Sequence, residues 1–359
     1  MTVLLHLAET STSALRIRTE RRSAGTTVGP FSLSRGALGQ DGNPHEGAAD
    51  LIAEVLEKAG ARSPGVTLLL PARIVRCRTV SVDVPVNGTV RDTHIDAAFR
   101  AIKTETEQPS VAVLYRQPSH YTLDRERKVA DPLGQRARVV SVHVTVLSVP
   151  VKRLAAFEVA ISAAGARLDD VVSTQASIGA AAFTRHDGAT LYVGHGETVL
   201  CSVQDQRLVS AGTIPLGCRH LIGDIMRVCG LSAVEARAMV SRLLREEKGT
   251  EGLPGEVLDA RLQEMGERAA ELCHRTHIRQ PLSVAGGLTR SVRAAEIWAD
   301  VIPAADFAMA SAPLDEAGLL LGASTVLTNA WGLHERPHWS PAANAQPGNE
   351  IVKWLQAHF

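Results

Sequence analysis

Strand-like apolar runs alternate with amphipathic helical runs along most of this chain, and that alternation restricts its fold more than any other feature. "GVTLLLPARI" (65–74), "RARVVSVHVTVLSVP" (136–150), "ARLDDVVS" (166–173) and "PLSVAGG" (281–287) read as strands. Among the helical runs, "EGAADLIAEVLEKAGA" (46–61) sets Ala49, Ile52, Val55 and Leu56 on one face and stops at Gly60, a favoured residue just past a helix. "VRDTHIDAAFRAIKTE" (90–105) aligns Ile95, Phe99 and Ile102, and "VKRLAAFEVAISAAG" (151–165) is a further helix. Residues 25–45 read as turn-rich, Pro118 interrupts the strand at 110–124, and "EKGTEGLPGE" (247–256) breaks the helices that dominate 217–276. No internal repeat is visible beyond the strand–turn–helix unit itself. The pattern predicts α/β layers.

A chain of 359 residues, 45% hydrophobic, can bury one large core or two to three smaller ones. Lys+Arg and Asp+Glu both number 38, so no global basic field argues for nucleic acid. The five cysteines (Cys77, Cys201, Cys218, Cys229, Cys273) are scattered without a C-x-x-C pair, which predicts reduced thiols rather than disulfides or zinc. "PLGCRHL" and "LCHRTHIR" lack metal-ligand spacing, and no G-x-S-x-G elbow supports a hydrolase. The opening "MTVLLHLAETSTSALRI" has no basic leader and meets Glu9 early, and the apolar runs are too short to span a bilayer. These features predict a cytoplasmic chain, at most peripheral to a membrane.

"LYVGHGETVLCSV" (191–203) joins two apolar strands through Gly194-His195-Gly196-Glu197. Read alone it is a β-hairpin with a glycine-containing turn. Its backbone amides could equally cradle a phosphate.

The order of segments resembles the cell-division protein FtsA, a family of the actin-like ATPase superfamily. The similarity is carried by "HYTLDRERKVADPLGQRARVVSVHVTVLSVPVKRL" (120–154) with its Asp131-Pro132-Leu133-Gly134 turn, and by "AGARLDDVVSTQASIGAAAF" (164–183). "AGTIPLGCRHLIGDIMRVCGLSAVEARAM" (211–239), "VLDARLQEM" (257–265) and "LSVAGGLT" (282–289) continue it. The resemblance implies a two-lobed actin-like (ribonuclease H-like) α/β fold with a small inserted α+β subdomain in the first lobe. It divides the chain into 1–83 (first lobe, N-terminal part), 84–148 (inserted subdomain), 149–333 (rest of the body), 334–349 (linker) and 350–359 (terminal helix).

In that superfamily two glycine-rich turns grip the phosphates, and nearby carboxylates position Mg²⁺ and the attacking water. Here the acid position of the first turn is His6 and its glycine position Ala8. Both acid positions of the second turn are lost, to Tyr192 and Val199, and the acid after the connecting strand is replaced near Ser173. A neutral tyrosine cannot hold a hydrated cation as a carboxylate does. Glu197 would point negative charge at the phosphates, a repulsion on the order of 1–4 kcal/mol. Gly194, Gly196, Thr198, Gly286 and Gly287 remain as a nucleotide-binding set, so the resemblance implies weak ATP/Mg binding at most and no robust catalysis. An active actin-like ATPase and a pilus-type actin-like envelope scaffold that ignores FtsZ stay open as alternatives.

"EIVKWLQAHF" (350–359) places Ile351, Val352, Leu355 and Phe359 on one helical stripe with Trp354 beside it. Such a segment folds on a surface, either a membrane or the protein's own body. FtsA proteins end in a membrane helix after a linker, and they bind the C-terminal tail of FtsZ at a helix that here carries Arg261. The resemblance therefore implies FtsZ, the inner face of the cell membrane and other copies of the chain as partners, and no nucleic acid.

Overall fold

The computed structural model describes residues 2–20, 23–61, 64–182, 187–205, 207–246, 252–278, 282–289, 291–302 and 305–306. "LDEAGLLLGASTVLTNA" (314–330), which reads as the last helix of the body, the linker at 334–349 and the terminal segment at 350–359 lie outside the described residues. The chain begins with β1 (Thr2–Leu7), β2 (Thr12–Glu20), β3 (Ser23–Leu33), α1 (Ala48–Lys58) and β4 (Gly65–Leu70), then a 3₁₀ turn at Ala72–Ile74. Next come β5 (Arg76–Thr89), α2 (Asp92–Thr106), β6 (Val111–Leu123), β7 (Arg127–Val129) and β8 (Arg136–Pro150). α3 (Val151–Ala163), β9 (Arg167–Ser173) and α4 (Thr174–Ala182) return the chain to the body. The second lobe is built from β10 (Gly188–Val193), β11 (Thr198–Gln204), β12 (Arg207–Ile214), α5 (Cys218–Cys229), α6 (Ala233–Leu243), α7 (Gly252–Arg275), β13 (Leu282–Gly286), α8 (Val292–Ala299) and β14 (Ala305–Asp306).

Two five-stranded sheets share one topology. The first runs β3-β2-β1-β4-β9 and the second β12-β11-β10-β13-β14. In each, an antiparallel three-strand meander continues into two parallel strands. The fold is therefore the two-lobed actin-like α/β fold that the resemblance implied, and its two sheets repeat one topology. One face of the second sheet (Leu191, Val193, Leu200, Ile214) packs on α5–α8. The other (Val199, Cys201, Val203, Ala285) joins the first lobe's core through Ala176, Ile178 and Ala180 of α4. That shared core holds the strand ends of the two lobes side by side.

Local chemistry explains the element ends. The Gly60 amide donates to Glu57 O (2.8 Å) and that of Ala61 to Leu56 O (2.9 Å), with Gly60 at φ +65°, a left-handed close of α1. Ala48 rather than Ala49 joins Ile52, Val55 and Leu56 in the buried face. Ser232 caps α6 in a reciprocal pair with Glu235. Three sequence expectations change. Residues 25–33 belong to β3 rather than a turn region. Pro118 stays within β6, at a register shift against β8. The Gly/Pro break ends at residue 252, where α7 begins, with Pro254 in the first turn that tolerates it.

The inserted subdomain is a four-stranded sheet, β5-β8-β6-β7, backed by α2 around Val80, Ala98, Ile102, Val140, Val142 and Val144. β5 enters it from Arg76, ahead of residue 84 where the sequence reading starts the insertion. On its other face His120 and His143 stack with ring centroids 4.2 Å apart. Burial, then the His143 and Lys128 charges, push the His120 pKa from 6.5 down to about 4, and burial also lowers that of His143. Between those two values the unfolded chain binds the proton that folded His120 refuses, so stability rises with pH across the window and falls on acidification. The melting temperature is expected to fall steadily from about pH 6.5 toward pH 4, and His120→Gln to flatten part of that slope. An unchanged slope in the variant would remove His120 from the account.

Candidate functional site

The β1–β2 and β10–β11 turns close in the same way. Ala8 N–H donates to Ser11 O (2.9 Å), and Gly194 N–H to Glu197 O (2.8 Å). The first residue of each following strand then reaches sideways: Thr12 Oγ1 donates to Arg35 O (2.9 Å) and Thr198 Oγ1 to Leu216 O (2.7 Å). A glycine follows each acceptor. At Gly36 an added Cβ would strike the Glu9 and Thr10 backbone, and at Gly217 it would lie 2.6 Å from the carbonyl oxygens of Gly194 and His195. Leu38 N–H donates to Ala8 O (3.2 Å), and Cys218 N–H to Gly194 O (3.0 Å). The turn at 194–197 is thus a true hairpin turn, and it is also one half of a matched pair facing a cleft.

Charge crosses that cleft in both directions. Glu9, in the first turn, accepts from Arg219 Nη1 at the start of α5 (2.9 Å) and forms an ion pair with Arg73. Glu197, in the second turn, reaches back to the end of β4, where Ala72 N–H and Arg73 N–H donate to its two oxygens (2.9 and 2.8 Å). Arg73 Nε lies 3.6 Å from the Glu197 carboxylate, so this guanidinium sits between both acids. Burial pushes the Glu197 pKa up, against the Arg73 charge and the two donated hydrogen bonds, while Glu9 adds to the rise. Glu197 therefore does not face a phosphate, as expected from sequence; the amides of the first lobe take it up instead. Glu9, Arg73 and Arg219 escaped the sequence reading. The signal available was a charged residue directly after an apolar strand or at a helix start.

The segment that carries Arg73 is braced from α4. Thr174 Oγ1 donates to Leu70 O (2.6 Å), and Gln175 Nε2 to Ala72 O (3.0 Å) and Val75 O (3.3 Å). Ser173 caps that helix, accepting from Ala176 N–H (3.1 Å). The position where an acid was sought is thus a helix cap.

His6, Tyr192, His195, Glu9 and Arg73 line a cavity of about 170 Å³ between the turns. The donor set does not fit a hydrated Mg²⁺ with phosphates. His6 and Tyr192 stand at two acid positions and Val199, at the third, is in the core. The two acids present are already held by Arg73, Arg219 and the backbone, and among the described residues no three His, Cys, Asp or Glu side chains are grouped to hold a metal ion. The remaining expected nucleotide residues have partners in the protein. Thr198 serves Leu216, and Gly287 N–H donates to Val193 O (2.7 Å). A side chain at Gly287 would run into Cys218 Sγ, and one at Gly286 (φ +80°) into Val193 O. A Cβ on Gly196 would come within 2.6 Å of Glu9 Oε1. These glycines admit neighbouring protein atoms.

Arg261, on α7, donates to Asp224 of α5 (2.6 Å) and pairs with Glu264. The two carboxylates already answer its charge. A larger cavity, about 680 Å³, lies away from the turns, between α2 and residues 130–133, with Ile95, Phe99, Tyr121 and Leu133 in its wall.

Two lobes of equal topology, paired turns across a cleft and an inserted subdomain define an actin-like protein. Comparison with known proteins narrows this. The family described as the SHS2 domain inserted in FtsA matches residues 73–148. The cell division protein FtsA of Agrobacterium fabrum (strain C58 / ATCC 33970) is 30% identical over 158 residues, 43% of this chain and 35% of that protein. FtsA of Rhizobium meliloti (strain 1021) is 30% identical over 125 residues, 34% of this chain and 28% of that protein. The matches span about a third of those relatives' length. A solved chain of a PilM-PilN type IV pilus biogenesis complex superposes with a TM-score of 0.61 at 17% identity, over 92% of this chain and 97% of that one. That likeness establishes the shared fold. The chain is a divergent, FtsA-like actin-fold protein.

Proposed function

We propose that this protein is an FtsA-like cell-division adaptor that tethers FtsZ filaments to the cytoplasmic face of the membrane, with ATP hydrolysis weakened or absent. The observation that carries the non-catalytic part is the cleft itself: both of its turn acids are consumed by cross-lobe contacts, and among the described residues lining it there is no further carboxylate to position Mg²⁺ and water. The adaptor part rests on the inserted FtsA subdomain and the FtsA relatives. Among the described residues no helix is long and apolar enough to cross a membrane. Attachment would instead use the apolar stripe Ile351, Val352, Trp354, Leu355 and Phe359, whose burial at roughly 1.5–3 kcal/mol per side chain suffices for reversible interfacial binding. Self-association would multiply these weak hooks. Arg261, if it serves the acidic FtsZ tail, exchanges Asp224 and Glu264 for it.

The test is vesicle co-sedimentation of purified FtsZ with the full chain and with a chain ending at Asn349. FtsZ is expected to pellet only with the full chain. If the protein pellets and FtsZ stays in solution, the FtsZ reading falls. The second reading, a scaffold for another envelope partner, then gains from the structural likeness to the pilus-complex chain. Mg-dependent ATP turnover lost on Gly196→Val would overturn the non-catalytic part.

A further inference from the structure

The two guanidinium groups that meet in the cleft come from different lobes, Arg73 from the 3₁₀ turn after β4 and Arg219 from the start of α5. They converge on one carboxylate, Glu9, whose side chain is 9% exposed. We propose that this is an anion site spanning the lobes, with Glu9 as its built-in occupant, so that the cleft is latched shut without any nucleotide and is open to a free phosphate only when the Glu9 carboxylate is gone. The proposal deepens the non-catalytic reading of the same cleft and is independent of FtsZ.

Charge, space and wiring each support it. Glu9 and Glu197 balance Arg73 and Arg219, so the site is neutral with its occupant and carries one net positive charge without it. Glu9 Oε1 lies where a Cβ on Gly196 would be crowded, which places the carboxylate directly over the second turn. The contacts are reciprocal as well. Glu9 leaves the first lobe for Arg219, while Glu197 leaves the second lobe for the Ala72 and Arg73 amides. Each turn thus grips the opposite lobe, and Arg73 touches both acids. His195 also feels the Glu9 charge, and burial lowers its pKa against that charge. With the acid removed, two partly buried guanidinium groups are left with one carboxylate, that of Glu197 beside Arg73, which favours capture of an oxyanion.

The experiment is thermal unfolding of the full chain and of Glu9→Ala and Glu9→Gln, with inorganic phosphate and with potassium chloride at matched ionic strength. Glu9→Ala is expected to melt several degrees below the parent and to regain about 2–4 °C with phosphate over chloride at roughly ten times its Kd. Glu9→Gln, which fills the space without charge, is expected to lose stability and to respond less. The parent should show no phosphate-specific shift. An unchanged melting point in Glu9→Ala, or equal phosphate responses in parent and variant, would overturn the latch. If Glu9→Ala does not fold, hydrogen exchange of the parent decides. Slow Ala72 and Arg73 amides without nucleotide support the latch, and amides exchanging as fast as exposed loops sink it. FtsZ pelleting bears on the adaptor reading alone, so the two can fail separately.

Discussion

Arg293→Ala is expected to destabilise the second lobe by about 3–5 kcal/mol. Arg293 is the second residue of α8, its side chain is 0% exposed, and it clasps Asp259 of α7 through Nε (2.5 Å) and Nη2 (3.2 Å). Removing the guanidinium leaves Asp259 partly buried without its cation and opens a void at a fully buried position of α8. Asp259→Leu with Arg293→Met should recover most of the loss, because a packed apolar pair avoids the stranded charge. Urea unfolding followed by circular dichroism measures both. A loss below about 1 kcal/mol for the single variant would mean that water reaches the site and that the pair contributes as little as a surface one.

Gly217→Ala is expected to cost about 3–5 kcal/mol and to loosen the cleft. The new Cβ would lie 2.6 Å from Gly194 O and His195 O and 2.7 Å from Glu197 N, all backbone atoms that cannot rotate away. Overpacking of this kind costs about 1–3 kcal/mol. Relieving it breaks the hydrogen bonds that the Cys218 and Arg219 amides donate to Gly194 O and His195 O, about 1 kcal/mol each. Gly223→Ala is the control. It sits within the same helix, α5, with no heavy atom within 4 Å of an added Cβ, so it should gain roughly 0.5–1 kcal/mol. Equal behaviour of the two variants in thermal unfolding would show that the turn is not seated on the helix start.

Much of the architecture was legible because its signals are local. The helix face of Ile52, Val55 and Leu56, the stop at Gly60 and the long strand over 136–150 follow from side-chain periodicity and a glycine that accepts a positive φ. β3 was not legible. Its Gly, Ser, Thr and Pro content reads as turns, and pairing with β2 outweighs that preference. The nucleotide glycines show a subtler failure. Gly194 and Gly196 are in the turn as expected, yet Gly286 and Gly287 are needed for close contact with Val193 and Cys218, which the sequence pattern cannot distinguish from close approach of a ligand.

The amino-acid order alone settles that strands and helices alternate, that the turn acids of a Mg-nucleotide site are replaced at His6, Tyr192 and Val199, and that the chain resembles FtsA. The alternation depends on residue identity and short spacing; the resemblance depends on the order of segments along the chain, and it is the resemblance that implies the replaced acids. The duplication of the two sheets is different. Thr12 matches Thr198 and Gly36 matches Gly217 only through shared hydrogen bonding, and no sequence repeat survives to announce it. The direction of Glu197 is different too. A carboxylate in a turn can serve a ligand or the protein, and here the free amides of Ala72 and Arg73, brought up from the other lobe by the shared core around α4, claim it first.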